Sequence, residues 1–373
     1  MAKVLHITEF TKGGVETHLN EVLQFQADKH DVYLMASELN SSRDALKISP
    51  ERLVLYPYER KPLGMLRAMR AIGRKVKELQ PDIIHVHGTF AGFFLRTLFF
   101  MRRQRPPVIY CSHGWAFLMD TKPWKKRIYA AAEKLLARRT DYIIHISDYE
   151  FQMATRYGLP SGKSVVVYNG VSDSPAAGAE PFEVPEGRIN LLFIGRFDRQ
   201  KGFELLLDVF RTNRFPNVHL YLVGDTVLKE SAEPVQLPDQ VTKIGWVNNA
   251  EIGRYVQACD AVVVPSRWEG FGIVAIEALR GGKPVIASRR GALPEIIQHG
   301  VNGYLFDFDQ PEQLARLIRS LDKKELARMG EAGEQIFYRK FHSVKMNQQI
   351  ERIYDRALRG EKESFAAAVK TYG

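Results

Sequence analysis

The chain has 373 residues, 45% hydrophobic and 26% charged, which excludes a disordered or fibrous protein and suits two domains of roughly 150 to 200 residues each. No apolar run reaches the ~18 residues of a membrane span, the opening MAKVLHITEF lacks the length and flanks of a signal peptide, and the two cysteines, Cys111 and Cys259, lie far apart, so a reducing, cytoplasmic setting is expected. The net charge of +10 sits wholly in the first half: residues 1–170 hold 26 Lys and Arg against 16 Asp and Glu, and the remainder 27 against 27.

In chain order, short β-branched runs alternate with amphipathic patterns. KVLHIT, DVYLMAS, DIIHVH, VIYCSH and YIIHIS read as strands, with helices over 15–27, 63–79, 123–138 and 149–157. Such alternation means a parallel sheet covered on both faces. YNGVSDSPAAGAEPFEVPEGR, rich in Gly, Pro and Ala, reads as an interdomain connection. Strands INLLFIG, VHLYLVG, VTKIGW, AVVVPS, PVIAS and GYLFD then follow, with helices over 203–211, 250–258, 272–279 and 293–299, and from 311 onward the chain reads as helix. The expected domains are 1–170 and 171–345, with a last helix over 346–373 that returns to the first domain.

Ligands of open parallel sheets gather beyond the carboxyl ends of strands, so the residues after strands carry the chemistry. In TKGGVETHL, Gly13 and Gly14 bring backbone N–H groups at a helix start close to an anion; a plain glycine turn is the alternative. The spacing is not GxGxxG and no acidic residue closes DVYLMAS, which disfavours a nicotinamide dinucleotide. In GRFDRQKG, Arg196 and Lys201 share one loop and can neutralise a diphosphate as it departs.

The strongest signal is AVVVPSRWEGFGIVAIEAL. Gly270 and Gly272 let the backbone approach a phosphate or sugar, and the amides of Phe271, Gly272 and Ile273 point from a helix start that has no evident side-chain cap. Glu269 precedes that helix. Glu277 lies inside it among apolar residues, so it needs a partner, which ribose hydroxyls or a buried Arg would supply. Asp307 and Asp309 copy a metal-binding DxD spacing, yet DFDQPEQL reads as a helix start capped near Asp309 with Pro311 in the first turn. His85 and His87 lack a third ligand at suitable spacing; they read as a strand end on the acceptor side. No metal is expected.

GGVE, SHG, YNGV, GRFDRQKG, EGFGIVAIE and GALPEIIQHGVNGYLF, in this order, resemble family 4 of the retaining glycosyltransferases. The resemblance implies the GT-B fold: two Rossmann-like, doubly wound parallel-sheet domains facing each other across a cleft, the first for the acceptor and the second for a nucleotide-sugar donor. It implies that Glu277 holds the donor ribose, that Arg196 and Lys201 clamp the diphosphate, and that Glu269 with the amides of Phe271 to Ile273 holds the transferred sugar. Gly14 would approach the phosphate, His113 would contact the sugar, and His87 and Asn169 belong on the acceptor side. The implied reaction transfers a hexose or N-acetylhexosamine with retention and without metal or cofactor. UDP is preferred over GDP, and the acceptor is a saccharide, favoured as lipid-linked. An epimerase of the same fold and a non-catalytic nucleotide-sugar binder are the rivals.

The basic half then faces the acceptor. FAGFFLRTLFFMRRQR joins Phe93 and Phe94 to Arg102, Arg103 and Arg105, and WKKR sets Trp124 beside Lys125 and Lys126. This suits an anionic inner-leaflet surface; an ordinary helix packed on the sheet, with solvated cations, is the equal alternative. No nucleic-acid partner is expected, because no module with stacking aromatics is recognisable.

Overall fold

The computed structural model describes residues 1–41, 43–102, 104–173, 182–226 and 236–361. They form two compact units, Met1–Gly170 together with the chain from Ser343 onward, and Val171–His342.

The first unit runs β1 (Lys3–Thr8), α1 (Gly14–Gln26), β2 (Asp31–Ser37), β3 (Leu53–Tyr56), α2 (Pro62–Leu79), β4 (Ile83–His87), α3 (Thr89–Leu98), β5 (Val108–Cys111), α4 (Pro123–Leu136), β6 (Tyr142–His145), α5 (Asp148–Arg156) and β7 (Ser164–Val166). Its seven parallel strands lie in the order β3-β2-β1-β4-β5-β6-β7. The order reverses between β1 and β4, the kind of switch point beside which ligands of open parallel sheets gather at the strands' carboxyl ends. Central strands are buried on both faces, which is why they read as short β-branched runs, with His85, His87 and His145 buried among the apolar residues. Two strands escaped the sequence reading. LVLY of β3 is half-buried at the sheet edge, and SVV of β7 is three residues long at the other.

The second unit continues with β8 (Ile189–Ile194), α6 (Phe203–Thr212), β9 (Val218–Val223), β10 (Val241–Gly245), α7 (Ile252–Ala258), β11 (Ala261–Val264), α8 (Ile273–Arg280), β12 (Val285–Ser288), α9 (Leu293–Ile296), β13 (Gly303–Phe306), α10 (Pro311–Arg319) and α11 (Lys323–Lys340). Six parallel strands take the order β10-β9-β8-β11-β12-β13, with the reversal between β8 and β11. α9 is one turn, shorter than expected, because Ile297 returns to an extended backbone. The final helix, α12 (Ser343–Leu358), belongs to the first unit: it lies against α1 and sends Tyr354 to His85 and Glu351 to Gln26. Residues 362–373 of the expected last helix, and 174–181 of the connection, lie outside the described residues.

Candidate active site

In the second unit the loops after β8 and β11 are tied together. Gly202 caps α6 with φ of +69°, and a Cβ there would sit 1.8 Å from the Pro265 carbonyl oxygen, so only glycine permits the approach. Arg267 N–H donates to the Gln200 carbonyl at 2.8 Å. This contact brings Lys201 to Glu269: Nζ donates to Oε2 at 2.7 Å, and the Ser266 hydroxyl donates to the same oxygen at 3.1 Å. Glu269 is buried, so its carboxylate needs these donors. Beyond the pair, Arg196 reaches Gln200 at 2.9 Å and Asp198 at 3.0 Å while remaining substantially exposed. Gly291 (φ +59°) packs against the Glu269 carbonyl, where a Cβ would lie 1.9 Å away.

Gly272, with φ of +111°, precedes α8, and no side chain caps that helix. Its first-turn amides therefore offer an anion-binding end. Gly270 and the buried Phe271 lead into it, Ile273 opens it, and Glu277 stands one turn further along, half-buried. The donor residues expected in the second half thus fall on two adjoining loops and one helix start. Asp307 and Asp309 form a different feature. Asp307 accepts the Asp309 N–H and Asp309 pairs with Arg290; the segment opens α10 with Pro311 in its first turn, as expected, and the cap position falls on Gln310, the neighbour of Asp309, with no cap hydrogen bond from the Gln310 side chain.

In the first unit, Gly13 (φ +61°) caps α1 with open space around it, so its conformation and not crowding demands glycine, and Gly14 begins the helix. His113 follows β5 with φ of +53°, a left-handed conformation costly for a non-glycine residue. Its Nε2 lies 2.9 Å from His87 Nδ1, and its Nδ1 lies 3.7 Å from the Cys111 sulfur. Burial holds the His113 and His87 imidazoles well below the usual histidine range and His6 and His18 at about 4, so these rings are neutral at pH 7.

Three expectations for this unit need correction. His87 and Asn169 are interior: both His87 nitrogens are engaged, by His6 and His113, and Asn169 Oδ1 is 2.9 Å from His18 Nδ1. They act on other side chains, not on an acceptor surface. Third imidazoles do accompany His85 and His87, since His6 from β1 and His18 from α1 complete the groups His6–His85–His87 and His18–His87–His113. They were invisible because they come from elements remote in sequence, although His6 and His85 are register partners on neighbouring strands. Finally, Phe94 is fully buried beside Tyr58 and cannot meet a membrane. Phe93 packs against the same core, and Arg105 forms a bidentate ion pair with Asp141. Arg102 stacks on Phe99 at 5.9 Å, and Arg103 lies outside the described residues.

Sequence reasoning also passed over Glu9. This buried carboxylate accepts the Phe90 and Ala91 N–H groups at the start of α3, at 3.2 and 3.0 Å. Burial raises its pKa, and those amides oppose the shift. Its one-residue distance from the carboxyl end of the central β1 was the available signal.

Two Rossmann-like units of parallel sheet, the second carrying a cation–carboxylate pair beside an uncapped helix start, define a GT-B glycosyltransferase. Residues 12–174 match the family described as Glycosyltransferase Family 4 and residues 179–336 that described as Glycosyl transferases group 1. A Klebsiella pneumoniae protein called an uncharacterized 41.2 kDa protein in the cps region is 35% identical over 327 residues, 85% of this chain and 89% of its own. Sucrose-phosphate synthase from Thermosynechococcus elongatus shares the fold with a TM-score of 0.81 at 20% identity, over 96% of this chain and 100% of its own. Anabaena HepE, solved in complex with UDP-glucose, does so with a TM-score of 0.77 at 22% identity, over 95% of this chain and 100% of its own. The chain belongs to glycosyltransferase family 4.

Proposed function

We propose that this glycosyltransferase moves a hexose or N-acetylhexosamine from a UDP-sugar to a saccharide acceptor, lipid-linked, with retention of anomeric configuration and without a metal, in the assembly of a cell-surface polysaccharide or glycoconjugate. The carrying observation is the Lys201–Glu269 pair at 2.7 Å, with Arg196 on the same loop and the uncapped start of α8 on the next. Lys201 and Arg196 neutralise the departing diphosphate, the α8 amides and Glu269 hold the sugar, Glu277 takes the ribose hydroxyls, and His113 meets the sugar. The departing phosphate oxygen accepts the acceptor's proton on the face from which it leaves, so the O–H bond breaks as the glycosidic bond forms and no separate base is required. UDP-glucose in the HepE complex and the cps region in the Klebsiella name support the donor and the setting. The test is a thermal-shift screen: UDP-sugars should raise the melting temperature of the full chain more than GDP-sugars, and release of UDP should require a saccharide. A GDP-sugar preference would overturn the donor assignment.

Membrane attachment is assigned to α4, where Trp124 and Ile128 are exposed and Lys125 lies 5.6 Å from the indole centroid, with Lys126 alongside. Among the described residues no helix is long and apolar enough to cross a membrane. Sedimentation with vesicles should depend on anionic lipid and weaken in Trp124→Ala; equal binding to neutral vesicles would remove the assignment.

A further inference from the structure

Five histidines of the first unit, His6, His18, His85, His87 and His113, come from four separate elements and converge around His87. Ring centroids lie 5.3 Å apart for His6–His87, 4.1 Å for His85–His87 and 5.1 Å for His87–His113. Three of them form an unbroken line of hydrogen bonds. His113 Nε2 meets His87 Nδ1 at 2.9 Å, His87 Nε2 meets His6 Nδ1 at 3.0 Å, and His6 Nε2 meets Gln26 Oε1 at 2.9 Å. Gln26 Nε2 then donates to Glu351 Oε1 at 3.1 Å, and the other Glu351 oxygen is 2.7 Å from His30 Nε2.

The direction of every bond follows from its far end. A carboxylate only accepts, so the Gln26 amide must turn its NH2 to Glu351 and its oxygen to His6. His6 Nε2 therefore carries the proton, and a neutral His6 offers Nδ1 as acceptor. His87 must then donate from Nε2 and accept at Nδ1, and His113 must donate from Nε2. The remaining His113 nitrogen, Nδ1, is left to accept from the Cys111 thiol, 3.7 Å away, which burial keeps protonated. Aligned bonds of this kind polarise one another toward the carboxylate.

We propose that Glu351 and Gln26 are positioning residues for His113: through His6 and His87 they impose a single tautomer on the line and hold the His113 ring at both nitrogens above its left-handed backbone. A divalent metal among His6, His85 and His87 fits the same atoms less well. A metal bridging His6 Nδ1 and His87 Nε2 would have to displace the proton that their mutual bond at 3.0 Å uses. The catalytic consequence rests on the proposed contact of His113 with the sugar, whereas the tautomers do not.

In full chain labelled with 15N-histidine at pH 7.5, long-range 15N–1H spectra should show His6, His87 and His113 protonated on Nε2 alone. Gln26→Met should convert them to tautomer mixtures and lower kcat for sugar transfer roughly 10-fold, in the range found when a group supporting an active residue is lost, with KM for the nucleotide sugar unchanged. If Gln26→Met does not fold, Glu351→Leu at the partly exposed end, which removes the acceptor, supplies the same comparison. An Nδ1-protonated or charged His87 or His113 in the unaltered chain, a single tautomer surviving both substitutions, or one equivalent of Zn(II) shifting His6, His85 and His87 together would overturn the proposal. Absent turnover with the expected tautomers would count against the transfer reading alone.

Discussion

The loops at the carboxyl ends of β8 and β11 and the histidine cluster near the ends of β1, β4 and β5 occupy equivalent positions in their sheets, yet they are built in opposite ways. The first is ionic and partly open: Lys201, Glu269, Arg196 and Asp198 are charged groups on two adjoining loops. The second is neutral and closed, assembled from single imidazoles on two inner strands, a helix and one loop, with a carboxylate only at its far end on α12. Charges on loops can pair with an incoming anionic ligand and recover their hydration when it leaves. Buried imidazoles have no such recourse, and they persist because each donor finds an acceptor. The contrast separates handling of charge from holding of shape.

Acid should break this comparison most forcefully. His6 and His18 have folded pKa values of about 4 against 6.5 unfolded, and His145 about 3. The unfolded chain therefore binds more protons below 6.5; the stability these rings contribute is complete above that value and is lost as pH falls toward 4. Each ring costs about 1.4 kcal/mol per pH unit, and several together rival the ~5 to 15 kcal/mol that holds an ordinary domain. Amide exchange between pH 7 and 4.5 should show the first unit opening before the second. Simultaneous opening would erase the distinction.

Next in size is Glu133→Ala. Arg96 on α3 is fully buried against Glu133 on α4 at 2.8 Å and stacks over Tyr110. Removing the carboxylate strands the guanidinium and should cost about 3 to 5 kcal/mol in urea unfolding, while Arg96→Met with Glu133→Leu recovers most of it. Lys201→Ala takes one of the two donors from the buried Glu269 carboxylate and should lower stability in urea by about 1 to 3 kcal/mol, while kcat/KM falls roughly 100- to 1,000-fold, as expected for a lost donor to a developing anion; nucleotide release reads it directly. The smallest effects compare two glycines of positive φ. Gly202→Ala meets the Pro265 carbonyl and should destabilise by more than the ~1 to 2 kcal/mol of left-handed strain, whereas Gly13→Ala, with open space but φ of +61° and ψ of −137°, should cost only the backbone strain of that conformation, about 1 to 3 kcal/mol. Equal melting shifts would show that the two loops have room to part at Gly202 and that crowding against Pro265 does not select the glycine.

Read from sequence, the second unit was nearly complete: all six strands were visible, and Arg196, Lys201, Glu269, Glu277 and the α8 glycines stood in two short segments. Its chemistry is local, so linear spacing reports it. The first unit yielded five of seven strands, because LVLY and SVV are short edge strands without a fully buried pattern. Phe93 and Phe94 looked like half of a membrane face because apolar residues beside arginines read alike in a core helix and an interfacial one; Phe94 and Arg96 turned out to be interior.

By itself the sequence determined the alternation of strand and helix, the two parallel sheets and the charged loops, since these depend on periodicity and on neighbours a few residues apart. Only the tertiary structure decided that His6, His18, His87, His113, Gln26 and Glu351 belong together. Their hydrogen bonds span separations of up to 325 residues, and the pairing of buried donors with acceptors is settled by which elements pack against one another, a choice that no local pattern encodes.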